Sequence, residues 1–424
     1  MTAAALTPPP VSPRAEGGLR VLFVAPYVPS PIRVRPFQLL RALVARGHRV
    51  TLVCAAGPAD AAALDALRPL CTVRPVAMGR VATLAAYLRA LPSDIPLQAA
   101  HRLGPAFVAA VCAELAGGAY DVVHIEHLRA AEVARRAARG LPGTPPLVLD
   151  AVDSISLLFE RAVRHSGTAT TRAMALLDLA RTRRYEAAYG RRFAAVVCTS
   201  PEDRWALATL RAELGEPEGA PIEVVPNGVD LDYFRPTGAP REPGTIVFSG
   251  KMSYHANEAA ALFLLDAIMP LVWREHPGAR VVLAGAAPGP RLRARARDPR
   301  VTVTGFVPDL RPYLASAAVA VAPIRYGVGV QNKVLEAMAM GAPVVAARQA
   351  TVALAARPGA DLLVADDAPA FAAQIGALLD DPARAAALGR AGRAYVEAHH
   401  SWGASAAALE RCYAAACRAA PASK

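Results

Sequence analysis

The chain of 424 residues is longer than one ordinary domain, and at roughly 100 to 200 residues per domain it predicts two domains with a cleft between them. No run of about 20 uncharged apolar residues is present, which excludes an integral membrane protein. The net charge of +12 and the isoelectric point near 9.8 indicate anionic partners or substrates, but they do not choose among nucleic acid, phospholipid headgroups and sugar diphosphates.

Residues 1–18 are rich in alanine and proline and lack the basic-then-apolar order of a signal peptide, so they predict a disordered tail. Six cysteines are scattered along the chain without a close CxxC pair. This usage favours small buried side chains in a reducing compartment. We therefore expect a soluble cytoplasmic protein.

Short runs rich in valine, leucine and isoleucine alternate with longer helical stretches, which is typical of parallel sheets with helices on both faces. The predicted strands of the first set are 20–24, 50–54, 121–125, 147–149, 194–198 and 223–225. Those of the second set are 245–248, 280–284, 301–304, 319–322, 344–346 and 362–364. The expected fold class is α/β with two Rossmann-like domains that face a cleft.

A linker at about 233–243 separates the two sets, since three prolines prevent regular structure there, and Asn227–Gly228 is a turn signal just before it. The expected domains are 19–235 and 244–395. The remaining segment, 396–424, contains an alanine-rich helix that we expect to pack back on the first domain. Ligands of parallel sheets bind at the carboxyl ends of the strands, so the interdomain cleft is the expected site.

The most informative stretch is 323–345, where a predicted strand leads into Gly327 and Gly329 and then into a helix. A glycine loop that opens a helix lets backbone N–H groups approach a phosphate. Arg325 and Lys333 add two positive charges, enough for a diphosphate, and Glu336 could accept hydrogen bonds from ribose hydroxyls. The alternative is a tight turn followed by a surface pair between Lys333 and Glu336.

Polar residues near the ends of three strands in the first half are further candidates. Arg33 and Arg35 follow the first strand and either reach the cleft or remain solvated. In the strand at 121–125, alternation sends Glu126 to the same side as His124, as a proton acceptor and a hydrogen-bond donor. The alternative for His124 is a satisfied core histidine. Asp153 follows the next strand and either lines the acceptor side or caps a helix.

Four segments together resemble the family-4 retaining glycosyltransferases of the GT-B fold. They are VVPNGVDLDYF at 224–234, GKMSYHAN at 250–257, VTGFVPDLRPYLASAAVAVAP at 303–323 and VLEAMAMGAPVV at 334–345. The resemblance covers most of residues 20–415 in order, and it implies transfer of a sugar from a nucleoside-diphosphate donor with retention at the anomeric carbon.

The resemblance also assigns roles to individual positions. Glu336 matches the second glutamate of the family's paired motif, which binds the ribose, whereas Val328 stands where the first glutamate would be. Lys251 takes the place of the family's arginine at the diphosphate, and Asn257 stands where the lysine would be. Lys333 and Arg325 are the expected replacements. The segment at 124–127 resembles the family's HxH, with His124 at its first position, Glu126 replacing the second and His127 adjacent.

The resulting site prediction has three parts. The catalytic residues are His124, Glu126, Lys251 and Lys333. The donor-binding residues are Gly250, Asn257, Arg325, Gly327, Gly329, Val330, Gln331, Asn332 and Glu336. The acceptor-side residues are Arg33, Arg35 and Asp153. No aspartate-rich motif is evident, so we expect neither a metal nor another cofactor, with the nucleoside-diphosphate sugar as co-substrate.

The expected acceptor is a glycan, a lipid-linked molecule or a small molecule, as in polysaccharide assembly. The alternatives are a nucleotide-sugar epimerase and a non-catalytic protein that binds sugar nucleotides. A nucleic-acid partner is not expected, since no stacking platform or recognition motif is visible.

A basic stretch at 161–192 is either a solvated arginine face or a surface that rests on anionic lipid. Its members are Arg161, Arg164, Arg172, Arg181, Arg183, Arg184, Arg191 and Arg192. The second interpretation places the protein peripherally on the inner face of the membrane.

Overall fold

Two parallel β-sheets, each covered by helices on both faces, form the architecture of the computed structural model. The structure describes residues 18–165, 169–327 and 329–419. The predicted tail at 1–18, except for Gly18, and the position of Val328 lie outside the described residues. The two sheets confirm the expected α/β class.

The first sheet has seven strands in the order β3-β2-β1-β4-β5-β6-β7. Their bounds are β1 Arg20–Ala25, β2 Arg49–Ala56, β3 Thr72–Ala77, β4 Val122–Glu126, β5 Leu147–Val152, β6 Ala195–Cys198 and β7 Ile222–Val224. The helices are α1 Val34–Ala45, α2 Ala61–Leu67, α3 Arg80–Ala90, α4 Leu97–Ala100, α5 Pro105–Gly117, α6 Leu128–Ala138, α7 Ile155–His165, α8 Ala169–Ala187, α9 Tyr189–Arg192 and α10 Pro201–Glu213, with a 3₁₀ turn at Pro58–Asp60.

The second sheet has six strands in the order β10-β9-β8-β11-β12-β13. Their bounds are β8 Glu242–Ser249, β9 Arg280–Ala284, β10 Val301–Gly305, β11 Ala317–Ala322, β12 Val344–Ala346 and β13 Leu363–Val364. The helices are α11 His255–Phe263, α12 Met269–Glu275, α13 Pro290–Arg295, α14 Arg311–Ser316, α15 Asn332–Ala339, α16 Arg348–Thr351, α17 Ala368–Asp380, α18 Pro382–His399 and α19 Trp402–Ala419, with a π-helical segment at Leu264–Ile268 between α11 and α12.

The strand β3 is the one described strand that the sequence analysis did not predict. It lies at the edge of the first sheet, carries Pro75, and most of its side chains are exposed or half-buried. An edge strand needs neither a continuous apolar run nor a complete set of N–H donors. The apolar pattern that identified the central strands is therefore missing here.

The continuous helical stretch His255–Glu275 is long and apolar enough to cross a bilayer, by length and composition alone. In the structure it packs into the core of the second domain, where Ala261, Leu264 and Ile268 are fully buried against the sheet. Its apolar character is therefore used by the fold.

The last helix, α19, returns to the first domain and covers one face of its sheet. Trp402, Leu409 and Tyr413 belong to the same buried cluster as Leu39 and Leu43 of α1. The chain reaches this position beside the segment after β7, because the Val229 amide donates to the carbonyl of His400 (2.9 Å).

Gly228 is required at this crossing for space and not for turn geometry. The predicted turn at Asn227–Gly228 would suggest a left-handed backbone at Gly228, but the residue does not adopt one. A Cβ atom at this position would instead lie 2.5 Å from the Trp402 amide nitrogen. Only glycine therefore permits the close approach of the start of α19.

We expect Gly228→Ala to lower the free energy of unfolding by about 2 kcal/mol, since backbone atoms must move to admit the methyl group. Chemical denaturation measures the change. The matched control is Gly403→Ala in the first turn of α19, where an added Cβ meets nothing within 4 Å. This control should raise stability by about 0.5 kcal/mol or leave it unchanged. Equal stability of wild type and Gly228→Ala would contradict the packing argument.

Candidate active site

Loops at the carboxyl ends of the two sheets contact each other across a cleft. The guanidinium of Arg161 on α7 donates to the carbonyl of Gly327 after β11 (2.5 Å). Asn227, between the sheets, donates from its amide to Oδ1 of Asn332 at the start of α15 (3.0 Å). These contacts join the two domains at the cleft.

The glycine loop after β11 lies directly against the first domain. Gly329 adopts a left-handed backbone with φ of 66°, and a Cβ atom there would lie 1.9 Å from Oδ1 of Asp153. Both the conformation and the lack of space require glycine at this position. Val330 is buried directly after it, so the loop is held firmly at the opening of α15.

The predicted donor-binding residues Gly250 and Asn257 lie together with Lys333, a predicted catalytic residue, at this opening. A Cβ atom on Gly250 would lie 2.9 Å from Nδ2 of Asn257 and 3.3 Å from Cε of Lys333. Nζ of Lys333 donates to Oε1 of Gln331 (2.9 Å), and Nδ2 of Asn257 donates to the carbonyl of Lys251 (2.9 Å). Oδ1 of Asn257 is buried without a hydrogen-bond partner in the described residues.

Gly285, after β9, is a site residue that sequence analysis missed. Its φ is 150°, and a Cβ atom would lie 1.8 Å from the carbonyl oxygen of Gly250. The absence of a side chain at Gly285 lets the ends of the neighbouring strands β8 and β9 approach each other beneath the donor-binding residues. A glycine directly after a strand was the available signal.

Lys333 and Glu336 are half-buried on α15, and their burial shifts both titrations toward neutral pH. Burial lowers the pKa of Lys333 to about 8, although the charge of Glu336 opposes the shift. Burial raises the pKa of Glu336 to about 7, and Lys333 opposes that shift. No ion pair within 4.0 Å joins the two among the described residues, so the alternative of a surface pair is not what the structure contains.

The side chains of two further predicted cations, Lys251 and Arg325, are exposed. Lys251 is exposed in the loop after β8. Arg325 is also exposed, and its guanidinium carbon lies 5.2 Å from the ring centroid of Phe263. Arg325 therefore makes an aromatic contact with α11.

His124 and Glu126 are corrected by the structure, because both lie beneath the cleft surface and not in it. Both side chains are essentially inaccessible. Nδ1 of His124 is hydrogen-bonded to the hydroxyl of Tyr413 (2.8 Å), and its ring lies 4.2 Å from that of Phe23. His124 is thus a core histidine. Side-chain alternation along β4 was interpreted correctly, but the side it faces is the buried one.

Burial also sets the charge of this pair. It lowers the pKa of His124 to about 4, against the effect of Asp150, so the ring is neutral at pH 7. It raises the pKa of Glu126 to about 7, against Arg35 and a hydrogen bond from Tyr27. Nε2 of His124 and Oε2 of Glu126 are 3.7 Å apart, and neither has a hydrogen-bond partner in the described residues.

His124, Glu126 and Asp150 form the group of described residues whose potential metal-ligand atoms lie within 4.8 Å of one another. Arg35 already holds Asp150, with Nε donating to Oδ2 at 2.8 Å. Its charge occupies the place that a cation would take in such a group.

Arg35 is also a correction to the predicted acceptor side. It is buried at the start of α1, where its Nη1 donates to Oδ1 of Asn227 (2.8 Å) and to the carbonyl of Val225 (3.0 Å). Together with Asp150 and Asn332, it completes a polar chain from β5 through the interdomain segment to α15. Asn227 therefore connects Arg35 of the first domain to Asn332 of the second by hydrogen bonds. The turn signal at Asn227–Gly228 did not indicate this role.

Arg33, by contrast, stays near the cleft surface. Its Nη1 donates to the carbonyl of Val28 (3.0 Å), and its guanidinium carbon lies 4.7 Å from the ring centroid of Tyr27. The side chain remains about 39% exposed.

Two adjacent strands of the first sheet end in strained backbone at the cleft. His127 after β4 has φ of 65°, and Val152 at the end of β5 has φ of 67°. Non-glycine residues rarely adopt this region, and such strain concentrates at functional sites. His127 and Asp153 follow from these two points.

His127 follows the end of β4, and its ring presents a defined hydrogen-bond donor. The sequence analysis named this residue only as adjacent to the HxH-like segment. Its Nδ1 accepts from the backbone N–H of Arg129 (3.2 Å), which caps α6. Burial lowers its pKa to about 3, with Arg129 adding to the shift, so the ring is neutral. The proton must therefore be on Nε2, and the half-buried ring offers Nε2–H as a donor.

Asp153 lies beside the glycine loop, against Gly329. Its Oδ1 accepts from the hydroxyl of Thr199 (3.1 Å). Burial raises its pKa to about 7, and the charge of Asp203 acts in the same direction.

Several arginines of the basic stretch at 161–192 are paired with carboxylates. Arg161 is engaged by Glu202 as well as by Gly327. Arg183 pairs with Glu160 and Glu213, Arg184 with Asp94, and Arg191 with Glu216.

Comparison with known families matches both halves of the chain. The family described as Glycosyltransferase Family 4 matches residues 34–233, and the one described as Glycosyl transferases group 1 matches residues 243–381. The first match covers β2 to β7 of the first sheet, and the second covers the strands of the second sheet except for the first residue of β8.

Relatives with named activities align over most of the chain. A phosphatidyl-myo-inositol mannosyltransferase of Mycolicibacterium smegmatis is 27% identical over 88% of this chain and 88% of its own. A D-inositol 3-phosphate glycosyltransferase of Acidothermus cellulolyticus is 29% identical over 82% of this chain and 78% of its own.

Solved structures share the two-domain fold. A sucrose-phosphate synthase from Thermosynechococcus elongatus superimposes with a TM-score of 0.70 at 19% identity, over 93% of this chain and 98% of that one. HepE of Anabaena, in complex with UDP and glucose, gives 0.65 at 16% identity, over 93% and 99%. The chain therefore belongs to the family-4-like glycosyltransferases with the GT-B fold.

Proposed function

We propose that the chain transfers a sugar from a nucleoside-diphosphate sugar to an acceptor with retention of the anomeric configuration and without a bound metal ion. The observation that carries this proposal is the half-buried ammonium of Lys333, packed against Gly250 where the glycine loop opens α15. A cation beside the amides of a helix N-terminus suits the negative charge that develops on a departing diphosphate.

On the donor side, Lys333 and the amides near Gly329 stabilise the leaving group, and Glu336 accepts hydrogen bonds from the ribose hydroxyls. Lys251 is the second cation, since it follows Gly250 directly and is free to turn toward the phosphates. Arg325 contributes only when its guanidinium leaves the Phe263 ring. Retention is the expectation from the family resemblance.

On the opposite side of the cleft, His127 takes the role that the sequence analysis gave to His124. Its Nε2–H donates a hydrogen bond to a hydroxyl of the donor sugar. Asp153, with a pKa near 7, is suited to accept a proton from the acceptor hydroxyl at neutral pH. Arg161 holds the glycine loop closed through the carbonyl of Gly327.

The proposed acceptor is a lipid-linked or other small polyol or glycan, and the protein acts at a membrane surface on the cytoplasmic side. One of its relatives is named for phosphatidyl-myo-inositol. On α3 and at its C-cap, Leu84, Leu88 and Leu91 form an exposed stripe at helical spacing. Arg181 of α8 donates to the carbonyl of Leu91 (2.7 Å), and Met174 of the same helix is also exposed.

The direct test is a transfer assay with UDP, GDP and ADP sugars against soluble and lipid-linked acceptors, with product configuration assigned by NMR. We expect transfer with retention that survives EDTA, because protein cations neutralise the leaving group. Glu336→Gln should weaken nucleoside-diphosphate binding about tenfold while leaving pyrophosphate binding unchanged.

Epimerised or hydrolysed donor without acceptor transfer would favour an epimerase. Nucleotide binding without turnover across the panel, insensitive to Glu336→Gln, would favour a non-catalytic binding protein.

The pH dependence of nucleoside-diphosphate binding should report on Lys333. The free protein protonates this side chain fully only below a pKa of about 8, so anion binding above that pH requires proton uptake. Between about pH 7.5 and about pH 9.5 we expect affinity to fall about tenfold or more. Lys333→Arg stays charged and should flatten the profile. Lys251→Arg, on an exposed side chain, is the control. Equal wild-type affinity at both pH values would contradict a role for Lys333.

Membrane association through the leucine stripe can be tested by sedimentation with lipid vesicles. Vesicles with anionic lipid should sediment the wild type, and Leu84→Glu combined with Leu88→Glu should abolish this, since it charges the apolar stripe. Leu214→Glu, at an exposed leucine outside the stripe, is the matched control. Unchanged sedimentation of the double variant would show that this surface is not the contact.

A further inference from the structure

Three arginines lie close enough to one another to interact electrostatically, and one of them, Arg129, is hydrogen-bonded through its backbone N–H to His127. Arg33 is in the loop after β1, Arg129 is in the first turn of α6 after β4, and Arg102 follows α4. The strands β1 and β4 are neighbours in the sheet, and Nε of Arg129 donates to Oε1 of Gln98 on α4 (2.7 Å). We call these residues the three-arginine cluster.

The cluster is half-buried and its charge is poorly balanced. The one carboxylate paired with it among the described residues is Asp60, 3.9 Å from Arg33. Asp178, near Gln98, is already used by the backbone amides of Leu97 (2.9 Å) and Gln98 (3.3 Å). No described side chain forms a hydrogen bond or an ion pair with the guanidinium of Arg102.

The positive charges of the three arginines repel one another. Burial lowers the pKa of Arg102, and the charges of Arg129 and Arg33 lower it further. Burial likewise lowers the pKa of Arg129, with Arg33 acting in the same direction. Three half-buried like charges with one paired carboxylate, Asp60, are unfavourable in a folded protein, so the arrangement indicates a ligand that supplies the missing negative charge.

The surroundings suit an anion with several oxygens. Tyr27 lies under Arg33, and Tyr87 contributes a hydroxyl 2.6 Å from Nδ1 of His101. Burial and the nearby arginines lower the pKa of His101 to about 4, so it adds hydrogen bonding without charge. A carboxylate would be satisfied by one guanidinium, whereas a phosphate dianion can engage several.

We propose that the three-arginine cluster binds a phosphate group carried by the acceptor. This inference rests on the proposed transfer function, because it places the phosphate on the side of the cleft opposite to Lys333 and the donor diphosphate. It defines the acceptor class as a phosphorylated polyol or a phospholipid headgroup. An acceptor without phosphate would then bind more weakly, and the loss would fall on KM.

The test measures phosphate binding while the donor site is occupied. The full-length protein is saturated with a nucleoside diphosphate and then titrated calorimetrically with glycerol 3-phosphate, and separately with vesicles that contain phosphatidic acid. Arg102→Gln and Arg129→Gln should each weaken binding about tenfold. Arg139→Gln, at the other end of α6, is the matched control, and Arg102→Lys should retain part of the affinity.

Weakening in both titrations supports a free phosphorylated acceptor, and weakening only with vesicles assigns the phosphate to a lipid headgroup. Wild-type affinity in both glutamine variants, or no phosphate binding by the wild type, overturns the proposal. Retained nucleoside-diphosphate binding shows that each variant is folded. Should the nucleotide itself fail to bind, the proposed function fails, and the same titrations without nucleotide still decide the role of the arginines.

Discussion

The buried pair of Arg35 and Asp150 is the constraint on which the cleft depends. Both side chains are removed from water, so their attraction must offset a large desolvation cost and needs complete hydrogen bonding. Arg35 obtains part of it from Asn227 and the carbonyl of Val225, which both accept from Nη1. Its Nη2 lies 2.7 Å from Oδ2 of Asp150 but has no hydrogen-bond partner among the described residues. Asn227 in turn reaches Asn332 at the start of α15. The geometry of the donor helix is thereby tied to the core of the other domain.

Near this pair, several glycines line the cleft at positions where the close approach of other atoms leaves no room for a Cβ. Gly329 lies on Asp153, Gly250 on Lys333, and Gly285 on Gly250. Across the cleft, His127 and Val152 hold strained backbone at two neighbouring strand ends. A surface formed in this way is rigid before a ligand arrives, and rigid dipoles stabilise developing charge without reorganisation. The preorganisation is therefore a property of backbone geometry as much as of the charged side chains.

Local patterns in the sequence predicted the two sheets and the glycine loop, because burial and glycine placement leave signals within a few residues. The same patterns failed wherever the outcome depends on distant contacts. His124 and Glu126 are buried because Tyr413, 289 residues away, covers the sheet. Arg161 meets a carbonyl 166 residues away, and Arg35 meets Asn227 across 192. The edge strand β3 was not predicted, because its exposed and half-buried side chains do not form the apolar pattern of a central strand.

The return of α19 to the first sheet has a consequence for how the protein is made. Translation delivers the first domain long before its final covering helix, so the apolar patch around Leu39 and Leu43 must wait while the whole second domain is synthesised. In that interval the nascent chain presents an incomplete core to its surroundings. The first domain can complete its core only after α19 has been synthesised.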